Sequence, residues 1–311
     1  MDDTKPIVLC IVGANASGKS SLGVSISQMV SGEVISADSR QIYKRLNLGS
    51  GKITVPEMQG VPHWMIDVAE PGCIYSLFDY QREAYASIDQ VVLNGNTPVL
   101  VGGTGLYINA VIDGYRLVDA PPNLELRTQL EHETVDGLRS KLMKIQPESV
   151  SLVDMNNPRR MIRAIEVASA GFSVAETRIK SPRFNASKIG VYWDRDELRK
   201  RIRERMHTRF KLGMIEEVEE LILSGVPRQF LFDIGLEYRI ITQYIDGEFE
   251  SFEQFEERLF FAICQFAKRQ YTWFRKDKSI NWFHGENMKV EDVFDTFQRS
   301  SAEVFPVLPN E

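Results

Sequence analysis

The chain has 311 residues, of which 43% are hydrophobic and 26% charged, and its formal net charge is −6. That length suits about two domains of ordinary size, and the composition excludes a collagen, a coiled coil and a disordered chain. A net acidic chain is not a general nucleic-acid binder, and no apolar run reaches the ~20 residues of a membrane helix.

The N-terminus, Met1-Asp2-Asp3-Thr4-Lys5-Pro6, is acidic and leads straight into an apolar run, so it does not read as a signal peptide. Three cysteines, Cys10, Cys73 and Cys264, are too far apart for a disulfide framework or a metal knuckle. Both features lead us to expect a cytoplasmic protein in a reducing compartment.

Pro6–Val12 is a short apolar run that predicts a buried parallel strand. Ser17–Val30 reads as a helix, Glu33–Ala37 as a second strand, Tyr75–Leu93 as a helix, and Thr97–Val101 as a third strand closed by Gly102-Gly103. Leu106–Ile112 opens another helix. This alternation predicts an α/β fold on a parallel sheet. Asp119-Ala120-Pro121-Pro122 breaks the pattern, and the signal is helical from Asn123 to about Ala170. Lys188–Trp193 reads as a strand returning to the sheet. One long helix is predicted from Asp196 to about Ser224, with Leu198, Ile202, Met206, Phe210, Val218 and Leu221 at helical spacing, and another from Phe252 to Arg275. The expected organisation is a core of residues 1–116 and 187–311, interrupted by a mostly helical insertion domain at 117–186.

Charge is unevenly spread. The stretches Pro158–Lys188, Arg195–Lys211 and Lys268–Lys278 carry net +5, +5 and +4, which leaves −20 on the rest. A single basic island is ordinarily a solvated helix face. Three on an acidic body suit a protein that grips a polyanion on one side.

The strongest local signal is Gly13-Ala14-Asn15-Ala16-Ser17-Gly18-Lys19-Ser20. It matches the phosphate-binding loop GxxxxGK[ST], with an apolar strand before it and a helix after it. Glycines let backbone N–H groups turn inward toward phosphate oxygens. The helix N-terminus and Lys19 add positive charge, and Ser20 is placed to ligate Mg²⁺. The later apolar strand Val99–Val101 ends in Gly102-Gly103, without the acid that usually holds the metal in such proteins. The available carboxylate is Asp38, just after the second strand. It could ligate Mg²⁺ through water, act as a general base on a second substrate, or merely cap a helix.

Further segments follow in a fixed order. They are Ser36-Ala37-Asp38-Ser39-Arg40-Gln41-Ile42-Tyr43, Val61-Pro62-His63, Phe78-Asp79-Tyr80-Gln81-Arg82-Glu83-Ala84 and Val101-Gly102-Gly103-Thr104-Gly105-Leu106-Tyr107. Asn157-Pro158-Arg159-Arg160 comes next, then Ala267-Lys268-Arg269-Gln270 with Thr272-Trp273-Phe274-Arg275. In this order, over about residues 6 to 283, the chain resembles the tRNA dimethylallyltransferases.

The resemblance implies a P-loop NTPase-like core. It also implies transfer of a dimethylallyl group from dimethylallyl diphosphate to N6 of an adenosine in tRNA. That adenosine is 3′-adjacent to the anticodon in tRNAs reading codons that begin with U. It implies that Asn15 to Ser20 cradle the diphosphate, with Mg²⁺ on Ser20, and that Arg205 grips it. Asp38 corresponds to the group that contacts N6 and removes its proton, and Thr104 to a residue bordering the reacting centre. The flipped adenine is expected in a channel lined by Asp38, Ser39, Arg40 and Gln41. Arg127 corresponds to a position near the RNA. Arg159, Arg160 and Arg163 share one predicted helix, with 159 and 163 a turn apart, and are candidates for the phosphate backbone together with Lys268, Arg269 and Arg275. A monomer is expected.

The chain departs from the family at several points. Asn15 stands for the usual Thr, and Trp64 for a second His. The usual Gly-Thr-Ala-Lys-Pro reads Gly49-Ser50-Gly51-Lys52-Ile53, and the usual Gly-Tyr-Lys-Glu reads Gly235-Leu236-Glu237-Tyr238-Arg239. Three other readings compete. A small-molecule kinase would use ATP at the loop. An adenylate prenyltransferase would accept free AMP or ADP but has no need of the basic islands. A non-catalytic RNA-binding protein leaves Lys19, Ser20 and Asp38 unexplained.

Overall fold

The computed structural model describes residues 5–302. In chain order it runs β1 (Ile7–Gly13), α1 (Lys19–Met29), β2 (Gly32–Ala37), α2 (Val55–Met58), β3 (His63–Trp64), α3 (Leu77–Leu93), β4 (Thr97–Gly102) and α4 (Gly105–Ile112). Next come α5 (Leu124–Glu131), α6 (Val135–Ile145), α7 (Pro158–Ser169), β5 (Asn185–Tyr192), α8 (Arg195–Lys211), α9 (Met214–Leu223), α10 (Arg228–Ile234) and α11 (Leu236–Ile245). The order closes with α12 (Phe252–Phe274), β6 (Ile280–His284) and α13 (Val290–Ala302).

The chain divides into two compact units. One takes in the residues up to Tyr75, Arg82–Ile108, and those from Phe184 onward. Its six strands form one all-parallel sheet in the order β3-β2-β4-β1-β5-β6. Val8 to Val12 of β1 are buried on both sides of the sheet, which is why β1 reads as an unbroken apolar run. The cluster around Leu9, Ile11, Val24, Val99, Ile189 and Val293 forms this unit's core. In register, Ala37 of β2 pairs with Gly102 of β4, and Gly13 of β1 with Val191 of β5. The segments that follow β1, β2 and β4 therefore emerge at one edge of the sheet, where open α/β sheets bind ligands.

The second unit comprises Ser76–Gln81 and Asn109–Arg183. Its core of Leu130, Leu138, Leu142, Met161 and Ile165 is all helical. Side-chain oxygens of Asn123, Thr134 and Asn157 accept the first orphan N–H groups of α5, α6 and α7. Pro158 occupies the first turn of α7, where its missing N–H costs nothing.

Several sequence expectations need correction. The predicted helix Asp196–Ser224 is two helices, α8 and α9, parted at Gly213 with φ +95°. Both bury the same kind of apolar stripe, so periodicity carried on across the break. The helix expected from Ser17 starts at Lys19, because Gly18 is left-handed. Strands β3 and β6 had no expectation. They are short edge strands, too brief to show a period. No helix among the described residues is long and apolar enough to cross a membrane.

Candidate functional site

The loop after β1 is fastened from outside. Ala16 (φ 61°) and Gly18 (φ 91°) take left-handed backbone, which turns the chain back on itself. A Cβ on Gly13 would lie 2.5 Å from Ser17 Oγ. Arg201 Nε donates to Ala16 O at 2.9 Å, and Trp193 Nε1 to Ser17 O at 2.8 Å. The Arg201 guanidinium stacks 4.1 Å from the Trp193 ring centroid. Gln270, buried on α12, accepts from Asn15 N–H at 2.9 Å and donates to Gly103 O at 3.0 Å. The carbonyls are thus tied outward, and the first-turn N–H groups of α1 keep their unmet hydrogen-bonding capacity. Among the described residues the buried Ser17 Oγ has no partner. Lys19 Nζ donates to Ala14 O at 3.2 Å. Burial pushes its pKa down to about 8, against the opposing pull of Asp38 and with the added push of Arg205, Arg209 and Arg40. Ser20 is exposed at the end of the loop.

Asp38 follows β2 directly. Its Oδ1 accepts the Arg40 N–H at 3.0 Å, while Oδ2 makes no hydrogen bond among the described residues. Thr104 is the bolt between the β2 and β4 loops. Its Oγ1 accepts from Ser39 N–H at 3.1 Å and donates to Ser39 Oγ at 3.4 Å, and its N–H donates to Ala37 O. The close approach requires Gly102, where a Cβ would lie 2.1 Å from Ala37 O. Gly102→Ala is expected to destabilise the protein by about 1–3 kcal/mol in urea denaturation and to lower turnover by loosening the bonds from Thr104 to Ala37 and Ser39, the residues that flank Asp38.

On the third side stand α8 and α11. Arg205 Nη2 donates to Gly51 O at 3.2 Å, and Gln41 Nε2 donates to the same carbonyl at 3.2 Å. Desolvation, then the charge of Arg209, lowers the Arg205 pKa to about 9. The side chain is nonetheless exposed, and contact with water keeps it charged at neutral pH. Arg40 points inward. It pairs with the buried Glu237 at 2.6 Å and lies 4.7 Å over the Phe266 ring. Glu217 accepts three successive N–H groups, from Asn47, Leu48 and Gly49, at 3.0, 2.7 and 3.1 Å. Tyr238 bridges Glu217 and Ser50 N–H at 3.0 and 3.1 Å. The two segments that depart from the family pattern, Gly49–Ile53 and Gly235–Arg239, therefore pack on each other. Trp64 is anchored through Nε1 to Glu33 at 2.6 Å, on the edge strand.

The remaining basic candidates stand on α5, α7 and α12. Arg127 makes a two-pronged pair with buried Glu166 at 3.1 and 2.8 Å, and Arg163 is 3.5 Å from the same carboxylate. Arg159 and Arg160 are exposed on α7, Arg160 lying 3.6 Å from Asp154. Lys268, Arg269 and Arg275 are exposed on α12 or at its end. Of the aromatics between them, Tyr271 and Phe274 are core, while Trp273 is 40% exposed and lies against Gly105. The sequence reading assigned no role to Gln270, Trp193, Arg201, Arg209, Glu217 or Glu237. Gln270 stands in the motif Ala267-Lys268-Arg269-Gln270, so its type is visible in the sequence. Its contact with the loop, 255 positions earlier, is not.

A family model described as IPP transferase matches residues 41–277. A protein named tRNA dimethylallyltransferase 2 from Shewanella sediminis is 40% identical over 282 residues, covering 89% of this chain and 93% of the relative. Among solved structures, the tRNA isopentenylpyrophosphate transferase of Bacillus halodurans superposes with a TM-score of 0.74 at 33% identity, covering 97% of this chain and 99% of that one. A eukaryotic dimethylallyltransferase acting on tRNA superposes with a TM-score of 0.76 at 20% identity, over 96% of this chain and 78% of its own, a likeness of fold.

Proposed function

We propose that this chain, which belongs to the IPP transferase family, transfers a dimethylallyl group from dimethylallyl diphosphate to N6 of the adenosine 3′-adjacent to the anticodon in tRNAs reading U-initial codons. The observation that carries the reading is one cluster at the sheet edge. It holds an anion-binding loop with a buried Ser17 hydroxyl that has no partner among the described residues, the cations Lys19 and Arg205, and Asp38 close enough to act on the Lys19 charge.

In this reading residues 13–20 receive the diphosphate. As the allylic C1–O bond breaks, negative charge grows on the leaving group. Fixed N–H groups, Lys19 and Arg205 stabilise that charge more in the transition state than in the ground state. N6 of the adenine attacks C1, and the free Oδ2 of Asp38 takes the N6 proton. Adenine's amino group is a weak nucleophile, so holding it in line supplies much of the rate. Thr104 fixes the Ser39 backbone and so the aim of Asp38. The base must first leave its stack, at a cost of a few kcal/mol repaid by the pocket. Ser39, Arg40 and Gln41 form the wall beside Asp38, while Arg127, Arg159, Arg160, Arg163, Lys268, Arg269 and Arg275 meet the RNA.

No group of three or more acidic, histidine or cysteine side chains that could hold a metal exists among the described residues. Mg²⁺ commonly binds through one or two side chains plus substrate phosphates and water, and the exposed Ser20 at the loop fits that mode. Bound there, the ion would neutralise part of the leaving group's charge.

The deciding experiment incubates the protein with labelled dimethylallyl diphosphate, Mg²⁺ and either tRNA, AMP or ATP. Label is expected on tRNA alone. Label on AMP would favour the adenylate prenyltransferase, and phosphoryl transfer from ATP the kinase.

A further inference from the structure

One turn beyond Arg205 on helix α8 stands Arg209, to which no role has yet fallen. The Arg209 side chain is only 12% exposed, and among the described residues its guanidinium makes no hydrogen bond. Its nearest carboxylate oxygen, Glu237 Oε1, is 3.9 Å away, while the other oxygen of Glu237 is taken by Arg40 at 2.6 Å. One buried carboxylate thus serves two cations, and a largely buried guanidinium keeps most of its five donors unfilled. A desolvated cation in that state is costly unless an anion arrives to meet it.

Where it faces is specific. Arg209, Arg205 and Glu237 line one narrow cavity together with Asn15 and Ala16 of the phosphate loop. The Arg209 charge is felt at Lys19. The facing loop has been cleared for it. A Cβ on Gly51 would lie 1.7 Å from Arg209 Nη2 and 2.7 Å from Arg205 Nη2. Gly51 also has φ +64°, so glycine is favoured there on two counts. Gly51 and Glu237 both belong to the segments that depart from the family pattern. Both departing segments therefore border Arg209.

We propose that Arg209 is a second guanidinium for the pyrophosphate of the prenyl donor, restrained by Glu237 and given room by Gly51. This rests on the reading that the donor's pyrophosphate occupies the loop. A fork of donors next to Arg205 would bind an oxygen pair that a single arginine leaves unmet.

The test is calorimetric titration of the full chain with inorganic pyrophosphate and Mg²⁺, beside steady-state KM values for donor and tRNA. Arg209→Met is expected to weaken pyrophosphate about tenfold or more and to raise the donor KM in step, with tRNA affinity within about twofold. Arg209→Gln carries the same expectation should the Met variant fail to fold. Gly51→Ala is expected to weaken pyrophosphate about tenfold on its own, and by clearly less than about tenfold more once Arg209 is Met, because the tighter clash is gone and only the one with Arg205 Nη2 remains. Wild-type pyrophosphate affinity in a folded Arg209→Met or Arg209→Gln protein overturns the proposal and leaves the donor reading standing. If the wild-type chain itself binds no pyrophosphate, both fall.

Discussion

Asp38→Asn is expected to lower kcat by about three orders of magnitude while the affinity for an anticodon stem-loop stays within about threefold. Asparagine is the informative substitution because of what Asp38 already does. Its Oδ1 accepts the Arg40 N–H at 3.0 Å, and an amide oxygen can keep that bond. The loop from Asp38 to Gln41 then holds its shape, and only the capacity to accept a proton is lost. Alanine would release the Arg40 N–H as well and confuse the two effects. A carboxylate acting only as a turn-former predicts the reverse pattern, with Asn nearly normal and Ala impaired. Near-normal turnover of Asp38→Asn, measured by single-turnover label transfer with saturating tRNA, removes Asp38 from the chemistry.

The parts of this site that were legible in the sequence are those whose requirement is local. The phosphate loop declares itself because the nest, the helix start and the lysine all arise within eight consecutive residues. Asp38 is legible because it directly follows an apolar strand, and strand ends of a parallel sheet gather at one edge, whereas Thr104 comes from the family resemblance alone. The fastenings of that edge were not legible. Gln270 reaches Asn15, and Glu237 reaches Arg40, across 255 and 197 positions. Nothing in the local pattern of α11 or α12 marks one polar residue as inward. Arg209 was hidden differently. It sat in a helix counted as a basic island, where every charge looks alike until packing shows that Arg209 is largely buried. The break at Gly213 was overlooked for the same reason. A periodic apolar stripe reports which side is buried and says nothing about whether the axis is continuous.

Lys19→Met is expected to abolish donor binding and, in the same protein, to make the empty fold more stable. Loss of the loop's full positive charge should weaken pyrophosphate more than a hundredfold, since the charge-assisted contact made from within the loop itself is lost and the arginines of α8 reach the anion only from the other side. The stability gain follows from the pKa. Burial holds Lys19 at about 8, far below its ordinary 10.5. Below pH 8 the lysine is charged in both folded and unfolded chains, and the folded state bears the whole penalty, up to about 3 kcal/mol. Between pH 8 and 10.5 the unfolded chain binds the extra proton, so wild-type stability rises with pH across that window and the advantage of Lys19→Met fades. Urea denaturation at pH 7 and pH 10 measures both limbs, and parallel curves for the two proteins at both pH values would sink the argument. Catalysis should run the opposite way. Only protonated Lys19 holds the diphosphate, so kcat/KM for the donor is expected to fall about tenfold per pH unit above 8. In Lys19→Arg the break at about 8 is expected to disappear, and the fall should begin only near about 9, where Arg205 loses its charge. The group that weakens the empty protein at neutral pH is therefore the one its substrate requires, and the anion that occupies the loop relieves the cost.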